Sequence, residues 1–287
     1  DEGNFVGIRE HKDCSDEELM IDEINCGFYC FDSEKLRPAL ARLQPNNAQG
    51  EYYLTDVIAD FVSQGEVLPT AEAADIAEIM GVNSLSDLSL VQSVMQERIL
   101  FEHMSNGVLI TDPAATWIDH DVEIGCDTKI LPCTVIGSGC KIGNGCEVGP
   151  FSHLRGGTVL DDGAALGNFV EAKNAHLGAG AKAKHLTYLG DAVVGANANI
   201  GCGTITANYD GVNKHQTKIG ARAFIGSGTV LCAPVEVGDE AMTAAGAVVK
   251  PGSTIKAQEL WLGVPARYLR QRELPAVASA STGEKKQ

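Results

Sequence analysis

"IGCDTKILPCTVIGSGCKIGNGCEVG", residues 124–149, carries an aliphatic residue at every sixth position: Ile124, Ile130, Ile136, Ile142 and Val148. A helix repeats every 3.6 residues and a half-buried strand every two, so a period of six fits neither a helix nor a simple hairpin sheet. It suits a parallel β-helix, in which three short strands make one triangular coil of about eighteen residues. Each aliphatic side chain then points into the prism, and glycine serves the tight corners. The series starts at Ile118 and runs through Leu154, Leu160 and Leu166. It resumes at Leu177, Ala183, Leu189, Val194 and Ile200, and again at Ile219, Ile225, Leu231 and Val237. Thirteen residues, "TANYDGVNKHQTK" (206–218), interrupt it. Such a segment cannot lie inside the prism and must project from it. It is either a solvated excursion, tolerated because closure entropy grows slowly with loop length, or an arm that reaches a neighbouring prism. Flat faces offer no deep cleft, so a ligand site forms most easily between two subunits closed by such an arm.

With 287 residues the chain has material for about two domains. Its net charge of −16 is unevenly placed: 22 acidic residues against 6 Lys and Arg precede Ile118, and 16 of each follow. So acidic a chain is a poor nucleic-acid binder, and a phosphorylated substrate would need cations gathered locally. No apolar run reaches eighteen residues, and no basic segment precedes an apolar stretch near the start. A cytoplasmic protein without membrane insertion is expected. The chain opens on Asp1 rather than Met, which reads as a processed product or a fragment. None of its nine cysteines forms a CxxC pair, so small buried thiols in a reducing compartment are expected over disulfides or zinc.

Four segments are expected: an α/β part over 1–84, a linker with a long helix over 85–117, the β-helix over 118–258 and a tail over 259–287. In "LTDVIADFVSQG" Thr55 is the expected N-cap, Val57, Ile58, Phe61 and Val62 the apolar face, and Gly65 the stop. A longer helix over 85–105 is expected to bury Leu88, Val91, Met95 and Ile99 and to end at Asn106-Gly107. "INCGFYCF" reads as a strand, and "PAVASASTGEKKQ" at the C-terminus as disordered.

Against the small, apolar background, "KAKHLTYLGDA" (182–192) stands out, with His185 and Tyr188 three positions apart among lysines. Together with "NFVEAK", "NIGCGTITANYDG" and "AFIGSGTVLCAPV", it resembles the acetyltransferase half of the bacterial bifunctional family that couples N-acetylglucosamine-1-phosphate uridyltransferase to glucosamine-1-phosphate acetyltransferase. "GIREHKD", "EINCGFYCFD", "NNAQGEYYLTDV" and "GVNSLSDL" are similar to the back portion of that family's uridyltransferase domain. The resemblance implies a left-handed β-helix, preceded by a partial α/β nucleotidyltransferase-type domain, and a homotrimer. It implies transfer of acetyl from acetyl-CoA to the amine of glucosamine 1-phosphate, on the way to UDP-N-acetylglucosamine. His185 matches the family's base, a role that imidazole suits with an ordinary pKa of about 6.5. Arg155 and Lys173 match the phosphate ligands, one a planar fork of donors and the other a point charge. Tyr188, Asn199 and Lys214 complete the implied sugar site. Asn208, Tyr209, Ser227 and Ala245 match the acetyl-CoA contacts. Cys202 stands where the family commonly has Ala, and Gly263 where it often has a phosphate-binding Arg. An acyl-carrying Cys202 is the alternative, but it would need an activated thiolate. Lys182, Lys184 and Lys218 read as solvated surface charges.

In the first part Glu10 and Asn25 match contacts to a UDP-sugar, and Asn83 matches a magnesium ligand. The family's Gly-rich nucleotide loop and the Asp that shares the metal have no counterpart here. One Asn is a poor magnesium site, since that ion favours carboxylates and phosphates. The expectation is a chain that does not use UTP, with Mg2+ doubtful. The stretch from Asn83 to Arg155 is also about two coils shorter than in the family. Three other functions remain in view: a γ-type carbonic anhydrase, a non-catalytic hexapeptide scaffold, and an acyltransferase for another amino sugar. The first needs clustered histidines, and the seven here (His11, His103, His120, His153, His176, His185, His215) include no pair five apart.

Overall fold

A computed structural model describes residue 5 and residues 7–271. The chain forms two compact units, Asp1–Val91 and Gln92–Gln287. The expected disordered tail lies outside the described residues.

The second unit is the left-handed parallel β-helix. Its strands fall into three sheets of ten, eight and eight, and in each sheet every third strand of the chain is hydrogen-bonded to the next. Eight full coils result, each giving one strand to each face of a prism. The first face starts at Leu109–Ile110, the second at Trp117–Ile118 and the third at Glu123–Ile124. An antiparallel strand, Arg267–Gln271, closes the far end of the first face against Glu259–Leu262.

The hexad reading accounts for the interior. Ile118, Ile130, Ile136, Leu154, Leu160, Leu166, Leu177, Leu189, Ile225 and Leu231 are fully buried. Where the aliphatic series breaks off, Ala172, Thr206 and Thr243 fill the inward positions instead, each fully buried. Thr206 is satisfied there: its hydroxyl takes the Gly190 N–H at 2.7 Å. The expectation that glycine serves the corners needs amending in two ways. Bulky residues also turn corners in the left-handed region, among them Phe151 (φ 56°), Phe169 (φ 55°) and Leu186 (φ 45°). The glycine that follows an inward aliphatic answers to close coil stacking: a Cβ on Gly195 would lie 2.5 Å from the Ala221 nitrogen.

The helix α3 (Leu85–Ser105) ends at Asn106-Gly107 as expected, with Gly107 at φ 87°. Its buried contact differs. Leu88 and Met95 are exposed, while Gln96 and Leu100, one turn apart, are buried. Leu100 packs into the core of the first coil, and the Gln96 carboxamide does a peptide's work. Its Nε2 donates to the Ile118 carbonyl at 2.8 Å, and its Oε1 accepts from the Ile118 N–H at 3.1 Å. Ile118 lies on the terminal strand of the second face, where no further strand supplies those partners.

In the first unit, α1 (Ser33–Arg42) is capped by Asp32, whose carboxylate accepts the Glu34 N–H at 2.8 Å. The next helix, α2 (Asp56–Ser63), buries Val57, Ile58 and Phe61 as read from the sequence. Thr55 holds the N-cap position as expected but makes no capping bond: its ψ of −24° is already helical, and its hydroxyl donates to Glu10 Oε1 at 3.0 Å. "INCGFYCF" forms no strand, and none forms among the described residues of this unit. A lone strand has no ladder to join. The α/β reading is realised here only in its helices.

Candidate active site

Two margins of the second face gather the residues singled out from the sequence. At the margin shared with the third face, Arg155 pairs in register with Lys173, and Lys173 with Gly190. Successive strands stand about 4.8 Å apart, so the two cations rise one above the other. Lys214 joins them. Its ammonium stands beside that of Lys173, and this charge first, with the Arg155 guanidinium, holds the Lys173 pKa below the ordinary lysine range. Arg155 also donates to Glu171 Oε1 at 2.9 Å. One carboxylate lies among the lysines. Burial pushes the Asp191 pKa up, but the amides of Asn174 and Asn208 and the charges of Lys214 and Lys173 outweigh it and hold the group ionised below its usual range. Asn174 Nδ2 donates to Asp191 Oδ1 at 2.7 Å, and Asn208 Nδ2 donates to Oδ2. The Tyr188 ring lies along the face toward this cluster: a Cβ on Gly190 would stand 2.6 Å from Tyr188 Oη and 2.7 Å from Asn208 Nδ2.

At the margin shared with the first face, His185 ends the strand Lys182–His185 and pairs with Asn168 below it. Its ring is exposed, and its carbonyl accepts the Thr187 hydroxyl at 2.7 Å. Extending the Ala183–Ile200 register by two places sets Cys202 above His185. Ser227 follows, with Gly228 N–H bonded to the Cys202 carbonyl at 2.7 Å; then Ala245, with Gly246 N–H on the Ser227 carbonyl at 2.8 Å. The Thr243–Trp261 register carries the same line to Gly263. His185, Cys202, Ser227, Ala245 and Gly263 thus form one column. Asn199 stands apart from it, paired with Lys182 and Phe224 on the first face. Beside the column, Phe151 and Phe169 stack at 5.1 Å, both more than half exposed.

The excursion is shorter than the sequence indicated. Thr206 and Ala207 belong to the strand Ile205–Ala207, and Thr217 and Lys218 to Thr217–Ile219, because their backbones keep the ladder. What projects is 208–216, leaving from the margin that carries the cations. Its shape is self-supported. Asp210 accepts the Asn213 and Val212 N–H groups at 2.7 and 2.8 Å, and meets His215 Nε2 at 2.7 Å. These contacts, the Asn213 backbone first, lower the Asp210 pKa to about 2. Tyr209 is 60% exposed. Asn208 is buried on Asp191, at the opposite margin from the column of Cys202, Ser227 and Ala245.

Asp191 and Asn174 were not singled out by sequence reading. The signal was present: Asp191 lies inside "KAKHLTYLGDA", and Asn174 lies seventeen residues before it, one coil below. Of the three lysines read as solvated surface charges, Lys182 and Lys218 are exposed, Lys218 pairing with Glu236 at 3.2 Å, whereas Lys184 is half-buried and pairs with Glu147 at 2.7 Å. The thiols differ from expectation. All nine are free, but only Cys140 and Cys146 are buried, and Cys202 is among the exposed ones. Cysteines at inward-facing corners are buried by the stack, whereas those at outward turns are not.

In the first unit, Glu10 accepts from Thr55, Asn25 donates to Tyr29 Oη at 2.6 Å, and the Asn83 N–H donates to Asp87 at 3.0 Å. Asp87 is occupied with the start of α3, also accepting the Ser84 N–H at 2.9 Å. Among the described residues no group of three or more His, Cys, Asp or Glu gathers as a metal site. No described helix is long and apolar enough to cross a membrane.

The bacterial transferase hexapeptide model (six repeats) matches residues 115–150 and 216–251. The Bifunctional protein GlmU of Geobacillus sp. (strain WCH70) is 46% identical, over 86% of this chain and 61% of that protein. That of Desulfitobacterium hafniense (strain DSM 10664 / DCB-2) is 43% identical, over 88% and 63%. The chain spans less than two thirds of the length of these curated relatives. Among solved structures, the polySia specific acetyltransferase NeuO is similar at 15% identity and a TM-score of 0.37, covering 62% of this chain and 89% of that one; so slight a likeness carries no argument. By its sequence the chain is a homologue of the bifunctional GlmU proteins and carries the bacterial transferase hexapeptide repeat.

Proposed function

We propose that the chain transfers the acetyl group of acetyl-CoA to the amine of glucosamine 1-phosphate, giving N-acetylglucosamine 1-phosphate and CoA. The observation that carries this reading is the pair of margins on one face. Arg155, Lys173 and Lys214 supply positive charge at one, the exposed imidazole of His185 stands at the other, and Tyr188 lies between them. The three residues of a strand such as Tyr188–Gly190 span roughly 10 Å, a width suited to an aminosugar phosphate. The phosphate takes the cations, which turns the sugar amine toward the imidazole. His185 accepts a proton from the amine as its nitrogen bonds to the thioester carbon. The carbon–sulfur bond then breaks, and the CoA thiolate leaves and takes up a proton. The column of Cys202, Ser227, Ala245 and Gly263 supports the placing of acetyl-CoA beside His185, along the prism edge. Its exposure fits a site completed by a neighbouring copy, whose excursion would bring Tyr209 over the coenzyme. We infer a homotrimer, and a cytoplasmic setting.

Uridyl transfer is not part of this proposal. Incubation with acetyl-CoA and glucosamine 1-phosphate, followed by mass spectrometry, tests the reading: a product heavier by one acetyl group supports it, and unmodified substrate rejects it.

A further inference from the structure

The excursion has one polar anchor on the coil beneath it. Asn174, Asp191 and Asn208 form a ladder up the margin between the second and third faces, one rung per coil, with the carboxylate in the middle. Asn174 and Asp191 both sit in the left-handed region, at φ 48° and 47°, which short polar side chains tolerate better than others. That conformation aims both side chains along the edge. Asp191 is tied in by its backbone as well: its N–H donates to the Lys173 carbonyl at 3.0 Å, and its own carbonyl accepts the Thr217 N–H at 3.1 Å. Asn208 is the first residue of the excursion and Thr217 the first after it, so this one residue holds both ends. On the far side of the hairpin, Lys214 bridges to Tyr209 and rests against Lys173. Two ammonium groups in contact repel, so Lys214 does not hold itself there. The ionised Asp191 lies within reach of both.

We propose that Asp191 is a positioning residue: it clamps the root of the excursion to the prism and thereby sets Lys214 beside Lys173 and Arg155. The clamp stands on the geometry alone, whereas its consequence for a phosphorylated acceptor rests on the function proposed above. Asp191→Asn keeps the size and the tolerance for the left-handed corner, but replaces one acceptor by a donor. One of the two neighbouring amides then faces another N–H.

The test is native-state trypsin digestion of the full chain, with cleavage after Lys214 followed by mass spectrometry. Cleavage there is expected to rise about tenfold or more in Asp191→Asn, with the other sites cut as in the wild type. Asn208→Ala removes the same contact from the other side and is expected to match it, and the double variant is expected to exceed neither single one. Equal cleavage in wild type and variants overturns the clamp, whatever the kinetics. In the acetylation assay, KM for glucosamine 1-phosphate is expected to rise about tenfold in Asp191→Asn, with no change in KM for unphosphorylated glucosamine; equal effects on both acceptors overturn the link to the cations. A wild type without turnover rejects the functional reading and leaves the digestion to decide the clamp.

Discussion

Lys173 is the residue whose chemistry its neighbours alter most usefully. With Lys214 and Arg155 beside it, it gives up its proton at a lower pH than an ordinary lysine. As pH rises, the cluster therefore loses charge early, and a phosphorylated acceptor should bind more weakly on the alkaline side. Lys214→Met removes the nearer charge and should move that loss to higher pH, seen as an upward shift in the alkaline limb of kcat/KM. An unmoved limb would mean that Lys173 does not set it. His185 is judged differently. Its replacement by Ala is expected to lower kcat about 10²- to 10⁴-fold, with KM for the acceptor changed by less than about threefold. Full activity in that variant would remove the imidazole from the chemistry.

The excursion and α3 each depend on a few polar contacts. The Asp210 carboxyl sits at about 2, below its ordinary 3.8. Its contribution to the hairpin is therefore present above the ordinary value and fades as pH falls through the lowered one. A carbon-detected NMR titration of Asp210 is expected to give a midpoint near 2, and His215→Ala to raise it only in part, because the Asn213 backbone bond is the larger cause. Gln96 serves α3 and the open edge of the second face together. Gln96→Ala would leave a buried N–H and carbonyl of Ile118 unpaired, at about 2–4 kcal/mol of stability. A urea midpoint shifted by the equivalent of less than 1 kcal/mol would show that water or a neighbouring group replaces the amide. Such contacts explain what was hidden in the sequence. A hydrophobic period cannot point to Gln96: of the expected stripe Ile99 packs against the core and Val91 is half-buried, but Leu88 and Met95 are exposed, because Gln96 and Leu100 make the seat. Thr55 looked like a cap, but its hydroxyl serves Glu10.

The prism itself was legible because one rule, an inward aliphatic every six residues, recurs along most of its length, and each inward side chain touches only its own coil and the next. What was not legible is the edge on which each residue stands. That depends on the register step between strands, which drops from eighteen at Val148–Leu166 to seventeen at Leu166–Ala183 and jumps to twenty-five across the excursion. Only after those steps are fixed do the cations gather at one margin and the column from His185 to Gly263 at the other. Since the column is exposed and the excursion leaves from the far margin, light scattering is expected to give three times the chain mass, and a monomer with full activity would show that one chain completes the site alone. The most direct test is steady-state release of CoA thiol, with glucosamine 1-phosphate and with glucosamine as acceptors. Turnover with the first, and a kcat/KM at least about 100-fold lower with the second, is the expected result. Equal rates with both, or no release with either, would contradict the assignment of these cations and this imidazole to one aminosugar phosphate.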